Sequence, residues 1–347
     1  MKKGSKIFNV LGLMLMSTLI VSCNENISNN KNDEIKIGIT LYRQDDTFIS
    51  SISSNLEEIS KENGDNFNKN IVLEFVDAKA STINQGNQVD KFIKQDYDVI
   101  CVNLVDRTAA ATIIDKAKSA NIPVIFFNRE PVEEDMNRWD KIYYVGAQAE
   151  QSARLQADIV AEEWLSNKNY YDKNKDGKIQ YVMIEGEPGH QDTLIRTEYC
   201  IKALNEMGFQ LEKLADDTAN WQSDQANSKM NQWIKEFGDD IEVVFSNNDV
   251  MALGAIYAIN SNSNIIRKPI VVGVDGIKEA IESIKIRDMT GTVISDANAQ
   301  AQAIWDIAIN LANGISLEDV IGSEREKYKK IPHTKVTIDN INELSNE

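Results

Sequence analysis

Residues 99–130 read VICVNLVDRTAAATIIDKAKSANIPVIFFNRE. An apolar run at 99–104 gives way to 108–120, where apolar residues recur at helical spacing, and a second apolar run follows at 122–127. Val, Ile and Phe crowd the two runs, the composition of buried strands. Near-continuous apolar strands joined by a helix predict parallel neighbours covered on both faces. The same rhythm extends in both directions. Upstream lie strand candidates at 35–41 and 71–76, with a helical stretch through Ile49, Ile52, Leu56 and Ile59 between them; 142–145 closes this half. Downstream, runs at 179–184, 242–245, 270–274 and 292–294 repeat the pattern, with helices at 192–207 and 249–259. Two similar halves predict an α/β fold of two doubly wound parallel-sheet lobes facing each other. No heptads, low-complexity tracts or short repeats interrupt them.

The composition narrows the function. The chain has 347 residues, long for one domain and comfortable for two, and 42% of them are hydrophobic, enough to build cores. There are 54 acids against 37 bases, a net charge of −17, and so acidic a surface repels phosphates and argues against a nucleic-acid partner. Three cysteines make no disulfide framework, and Cys101 and Cys200, in a strand and a helix, read as buried thiols. Two histidines, His190 and His333, cannot build a His-rich metal site, and His333 has no partner motif. No Walker loop, G-x-S-x-G or H-E-x-x-H is present.

The N-terminus reads as an export signal. Lys2, Lys3 and Lys6 precede an apolar run from 7 to 21 that is short for a membrane span and ends at Ser22. Ile20-Val21-Ser22-Cys23 resembles the bacterial lipobox, which implies removal of 1–22 and lipidation of Cys23. Residues 23–33 are polar and Asn-rich, a tether without apolar periodicity. The expected product is extracytoplasmic and membrane-anchored.

Polar residues crowd the strand ends. Asp45 and Asp46 follow the first strand, Asn128 and Arg129 the run at 122–127, His190 and Asp192 the run at 179–184, Asn247 to Asp249 the next, and Asp275 the run at 270–274. Any one of them is plausible as a helix cap or turn residue. The repetition in both halves points instead to a ligand cleft, since open α/β sheets bind ligands outside the carboxyl ends of their strands.

GITLYRQDDTF (38–48), VNLVDRTAAATIIDKA (102–117), NIPVIFFNREP (121–131), DKNKDGKIQYVMIEGEPGHQD (172–192), NNDVMALGA (247–255) and GTVISDAN (291–298) resemble the periplasmic glucose/galactose-binding proteins of bacterial ABC transport systems, nearly end to end. The resemblance implies a type I periplasmic binding protein fold, with lobes of 34–146 plus 297–331 and 147–296 plus 332–347. A three-segment hinge would lie near 145–148, 295–298 and 331–333. It implies capture of D-glucose or D-galactose by a monomer, docking on an ABC permease and, in that family, on a chemoreceptor. Phe48 and Trp221 match the aromatics that sandwich the pyranose, whose apolar C–H faces suit flat rings. Asp46, Asp192 and Asp275 match carboxylates that accept from sugar hydroxyls, Asn128 and Asn248 match amides, and His190 and Arg196 match the histidine and arginine of the site. Arg196 lies four residues after Asp192, on one helix face, where it can also hold that carboxylate. Ser295 departs, standing where the family has asparagine; a water or another side chain is expected to fill the gap. Gln148 replaces a usual acid.

Asp172-x-Asn174-x-Asp176-Gly177 opens like an EF-hand loop, with oxygen ligands at alternate positions and glycine for the tight turn. Position twelve is Met183 rather than Glu, so the motif fails as an EF-hand. In the sugar-binding family a Gln at position nine and a remote Glu complete the site. Gln180 and Glu242 match them, and Lys178 would give its backbone carbonyl, so the resemblance implies structural calcium. The rivals are a glycosidase using two cleft carboxylates and a sensor subunit that feeds no transporter.

Overall fold

A computed structural model describes residues 34–64, 69–322 and 326–342. The expected leader (1–22), the tether (23–33) and Cys23 lie outside the described residues, as do 343–347 at the far end of the second-lobe segment. In chain order the strands are β1 (Glu34–Leu41), β2 (Asn70–Asp77), β3 (Val99–Val102), β4 (Val124–Phe127), β5 (Ile142–Ala147), β6 (Ile179–Glu185), β7 (Leu211–Thr218), β8 (Val243–Ser246), β9 (Ile270–Val272), β10 (Gly291–Ser295), β11 (Tyr328–Ile331) and β12 (His333–Thr337).

They form two six-stranded sheets among the described residues, ordered β2-β1-β3-β4-β5-β11 and β7-β6-β8-β9-β10-β12. The first is parallel throughout. The second departs from the all-parallel expectation at its last strand, since β12 runs antiparallel to β10. Both orders reverse direction beside the first strand of the half, between β1 and β3 and between β6 and β8. These are the switch points at which doubly wound sheets open a crevice.

Alternation along the strands explains why both faces are filled. Val99 and Cys101 of β3, with Ile125 and Phe127 of β4, enter one core; Ile100, Val102, Val124 and Phe126 enter the core on the opposite face. The first of these cores is closed by the helix Thr47–Asn63, which buries Ile49, Ile52, Leu56 and Ile59, and by the helix Ala297–Asn313. Burying each such side chain contributes about 1.5–3 kcal/mol before chain entropy is subtracted. In the second lobe Val182, Ile184 and Val244 face one core, while Tyr181, Met183, Val243 and Phe245 face another. Cys101 and Cys200 are buried free thiols.

The chain passes between the sheets three times. Gln148 leads from β5 into the helix Ala149–Ser166, which packs on the helix Gln191–Glu206 and on β12. Asp296 caps the helix Ala297–Asn313, accepting from the Ala299 N–H, and that helix lies against Thr47–Asn63. Pro332 alone separates β11 of one sheet from β12 of the other. No described helix is long and apolar enough to cross a membrane.

Candidate functional site

The carboxyl ends of the two sheets face one cleft of about 550 Å3, counting its open mouth, within the usual size of a small-molecule site. Asp46, Phe48, Asn128, His190, Asp192, Arg196, Trp221, Asn248, Asp275 and Ser295 all line it. So do Tyr42, Ala147 and Gln300, which the sequence did not single out. Tyr42 sat inside the quoted 38–48 stretch, and only its place just past β1 could have flagged it. Gln300 carried no spacing signal.

Several of these side chains are held by the start of the helix they precede. Asp46 accepts from the Ile49 N–H at 3.0 Å with one oxygen and from the Tyr42 hydroxyl at 2.5 Å with the other. Asn248 accepts from the Met251 N–H at 3.0 Å. His190 Nδ1 accepts from the Asp192 N–H at 3.1 Å, so a neutral ring carries its proton on Nε2. Burial, reinforced by Arg129, Arg196 and Arg107, holds the His190 pKa well below its ordinary value. The ring therefore offers the cleft a neutral donor.

Arg196 is buried and held by three hydrogen bonds. Its guanidinium donates to Asp192 Oδ2 at 3.0 Å, to the Asn247 carbonyl at 2.8 Å and to Ser152 Oγ at 3.2 Å. The spacing of four from Asp192 thus belongs to the cleft wall and not to a solvated helix face. Asp275 sits at φ 121°, a conformation that its turn imposes, and is buried. Burial, with the nearby carboxylates of Asp249, Asp46 and Asp192, raises its pKa well above the usual range, and Arg196 only partly offsets this. Beneath it, Asp249 fixes the turn by accepting from the Gly276 and Ile277 N–H groups and from the Thr292 hydroxyl.

Trp221 lies in the turn after β7, with Asn220 and Trp221 both in left-handed backbone, at φ 50° and 63°. Its indole packs on Gly186, where a Cβ would come within 2.0 Å of the ring. The His190 ring meets it edge-on at 5.2 Å. Phe48 occupies the first turn of the helix Thr47–Asn63 in the other lobe and packs on that lobe's core. The cleft thus has an aromatic side chain from each lobe and a rim of carboxylates, amides, an imidazole and a guanidinium.

Side-chain hydrogen bonds join the lobes directly. Arg129, past β4, stacks over the Tyr42 ring at 3.8 Å and donates to the Val105 carbonyl and to Glu187 Oε2 at 2.6 Å. Gln191 Nε2 donates to the Asn128 carbonyl at 2.8 Å. Ser295 lies at the second crossing, and its hydroxyl is 3.3 Å from Nδ1 of His333 at the third. His333 Nδ1 donates to the Ile294 carbonyl at 3.0 Å, and Nε2 is buried without a partner. Burial, with Arg196 nearby, pushes the His333 pKa down to about 4. The residue without a motif ties two of the three crossings together.

The loop at 172–180 folds around a buried carboxylate. Glu242 is fully buried at the foot of β8; it accepts from the Lys173 and Gln180 N–H groups, and burial raises its pKa to about 7. Asp172 Oδ2 accepts from the Gly177 N–H, Asn174 Oδ1 from Asp176 N–H, and Asp176 from the Lys178 N–H and Gln180 Nε2. Gly177 takes φ 77°, as its place in the turn requires. Asp172 Oδ1 and Gln180 Oε1 remain buried without a hydrogen-bond partner. Two orphaned oxygens among all-oxygen donors fit a hard cation. Among the described residues no three His, Cys, Asp or Glu side chains converge to hold a metal, so such a site needs amide and carbonyl oxygens as well.

Residues 37–316 match the Periplasmic binding protein domain. The chain is 38% identical over 311 residues to the D-galactose/methyl-galactoside binding periplasmic protein MglB of Haemophilus influenzae, covering 89% of this chain and 91% of that one. An ABC transporter solute binding protein from Bacillus halodurans, solved with myo-inositol, superposes with a TM-score of 0.75 at 29% identity, covering 90% of this chain and 97% of that one. One from Actinobacillus succinogenes, solved with D-allose, reaches 0.76 at 22% identity over 89% and 99% of the two chains and shares the fold.

Proposed function

The chain belongs to the periplasmic binding protein family, and on that premise we propose that its cleft captures D-glucose or D-galactose as a single pyranose. Its relatives are solute-binding proteins of ABC transport, not enzymes, and the family places it outside the cytoplasm. The observation that carries the sugar reading is the pairing of Phe48 and Trp221 from opposite lobes in one polar-rimmed cleft. Flat rings take the apolar C–H faces, while hydroxyls donate to Asp46, Asp192 and Asp275 and meet the amides of Asn128 and Asn248. Neutral His190 and Arg196 donate in return. Lobe closure removes water, so neutral hydrogen bonds count for more. The galactoside-binding relative supports a hexose.

Calcium is the proposed structural ion, held by Asp172, Asn174, Asp176, Gln180, Glu242 and the Lys178 carbonyl; when bound it supplies positive charge to carboxylates that the fold has buried. The lipid anchor on Cys23, the monomeric state and a chemoreceptor as second partner belong to the same reading. Calorimetry against glucose, galactose, allose, ribose and myo-inositol tests it. Saturable heat with glucose or galactose well above the others is the expected result. Binding of the cyclitol or pentose alone would overturn the hexose assignment.

A further inference from the structure

Gln300 lines the cleft, is 2% exposed, and leaves its Oε1 buried with no hydrogen-bond partner. It stands in the first turns of the helix Ala297–Asn313, whose N-cap Asp296 follows Ser295 directly. The neighbouring polar groups of the cleft already have partners within the chain. Arg196 donates to Asp192, Asn247 and Ser152, Asp46 accepts from Tyr42 and Ile49, and the Asn128 carbonyl accepts from Gln191 and Tyr144. Ser295, five residues before Gln300, has its hydroxyl beside His333 Nδ1. An amide oxygen buried without a partner is costly, and a fold retains one where something outside the chain completes it.

We propose that Gln300 is a sugar-contacting, specificity-determining residue, whose amide accepts from one ring hydroxyl and donates to its neighbour beside the short Ser295. An amide carries a donor and an acceptor side by side, which suits a vicinal diol, and a serine cannot reach both. The inference rests on the reading of the cleft as a hexose site. It adds that the gap at Ser295 is filled by a side chain from the next helix.

The test uses the full chain and its Gln300→Met variant, which keeps length and loses both hydrogen-bonding groups. Each is titrated with the preferred hexose and its 2-, 3-, 4- and 6-deoxy analogues, and the melting temperature without sugar is recorded. We expect Gln300→Met to weaken the hexose ten-fold or more while the sugar-free melting temperature holds or rises, because a buried orphan has been removed. One deoxy sugar that binds at least ten-fold worse than the hexose in the wild type should lose that penalty in the variant. Unchanged hexose affinity overturns the proposal. So does an equal loss across every analogue with a lower melting temperature, the behaviour of a packing residue. Absence of hexose binding by the wild type defeats the parent reading instead, and is seen before any variant is made.

Discussion

Replacing Gly186 by Ala tests how the second-lobe aromatic is held. Gly186 follows β6 directly and does not occupy left-handed backbone, so alanine strains nothing in the chain itself. Its new Cβ would meet three indole atoms of Trp221 at 2.0, 2.1 and 2.4 Å. Carbon atoms rest about 3.5–4.0 Å apart, so the ring must retreat by roughly 1.5–2 Å. Overpacking of that kind costs about 1–3 kcal/mol of stability. A displaced indole also loses its contact with the sugar face. Losing a buried aromatic contact is worth about 1–3 kcal/mol, or about 5- to 150-fold in affinity. The decisive experiment is a cycle with Trp221→Ala, read by calorimetry for affinity and by denaturant melts for stability. With the ring gone, Gly186→Ala should cost little in either measurement, because nothing then occupies the space its methyl group needs. An equal loss of affinity in both backgrounds would show that Gly186 acts independently of Trp221, and the reasoning would fail.

Chelation should lower the melting temperature, and calcium restore it; at a hundred times its Kd the ion adds about 2.7 kcal/mol. Coincident melts for wild type and Glu242→Gln with and without calcium would refute the site. His333 is neutral in the fold down to a pKa of about 4, against about 6.5 unfolded. Protonation of the unfolded chain therefore drains stability as pH falls below 6.5, by about 2 kcal/mol between pH 7 and 5. Unfolding free energies of wild type and His333→Asn from urea melts should diverge by that amount over this range, and parallel curves would dismiss the histidine. Glu187→Gln removes the charged partner of Arg129 across the cleft. Stopped-flow tryptophan fluorescence should then show sugar leaving about ten-fold faster at an unchanged on-rate, a loss of about 1–2 kcal/mol; an unchanged off-rate would remove the bond from the closure mechanism.

The sequence exposed whatever was apolar on both faces. VICV and VIFF could be buried only as interior parallel strands, and both are. It concealed the edges. β7 reads LEKLADDT, half-exposed and charged, since an edge strand turns polar groups outward and so loses the strand signature. β11 and β12, YKKI and HTKVT, are short edge strands whose pairing comes from distant β5 and β10, and nothing local announces that β12 runs antiparallel. Asp46, Asn128, His190, Asp192, Asn248 and Asp275 were legible because polar groups just past apolar runs have a physical reason to be there, whereas Phe48, Arg196, Trp221 and Ser295 came into view only through the resemblance to the sugar-binding family. Gln300 and the Ser295–His333 contact were hidden, because each depends on how two separate segments cross.

The late position of β11, β12 and the helix Ala297–Asn313 bears on the order in which the molecule is made. Ile35, Ile37 and Ile39 of β1 and the apolar face of Thr47–Asn63 share a core with Ala301, Ile304, Trp305, Ile307 and Ala308. At about 5–20 residues per second, the early half of that core waits roughly 12–50 s for its lid to be synthesised. Neither sheet gains its final edge until the last two described strands exist. Contacts so distant in sequence delay collapse. The first lobe therefore completes its core only after strands β6 to β10 of the second have been made.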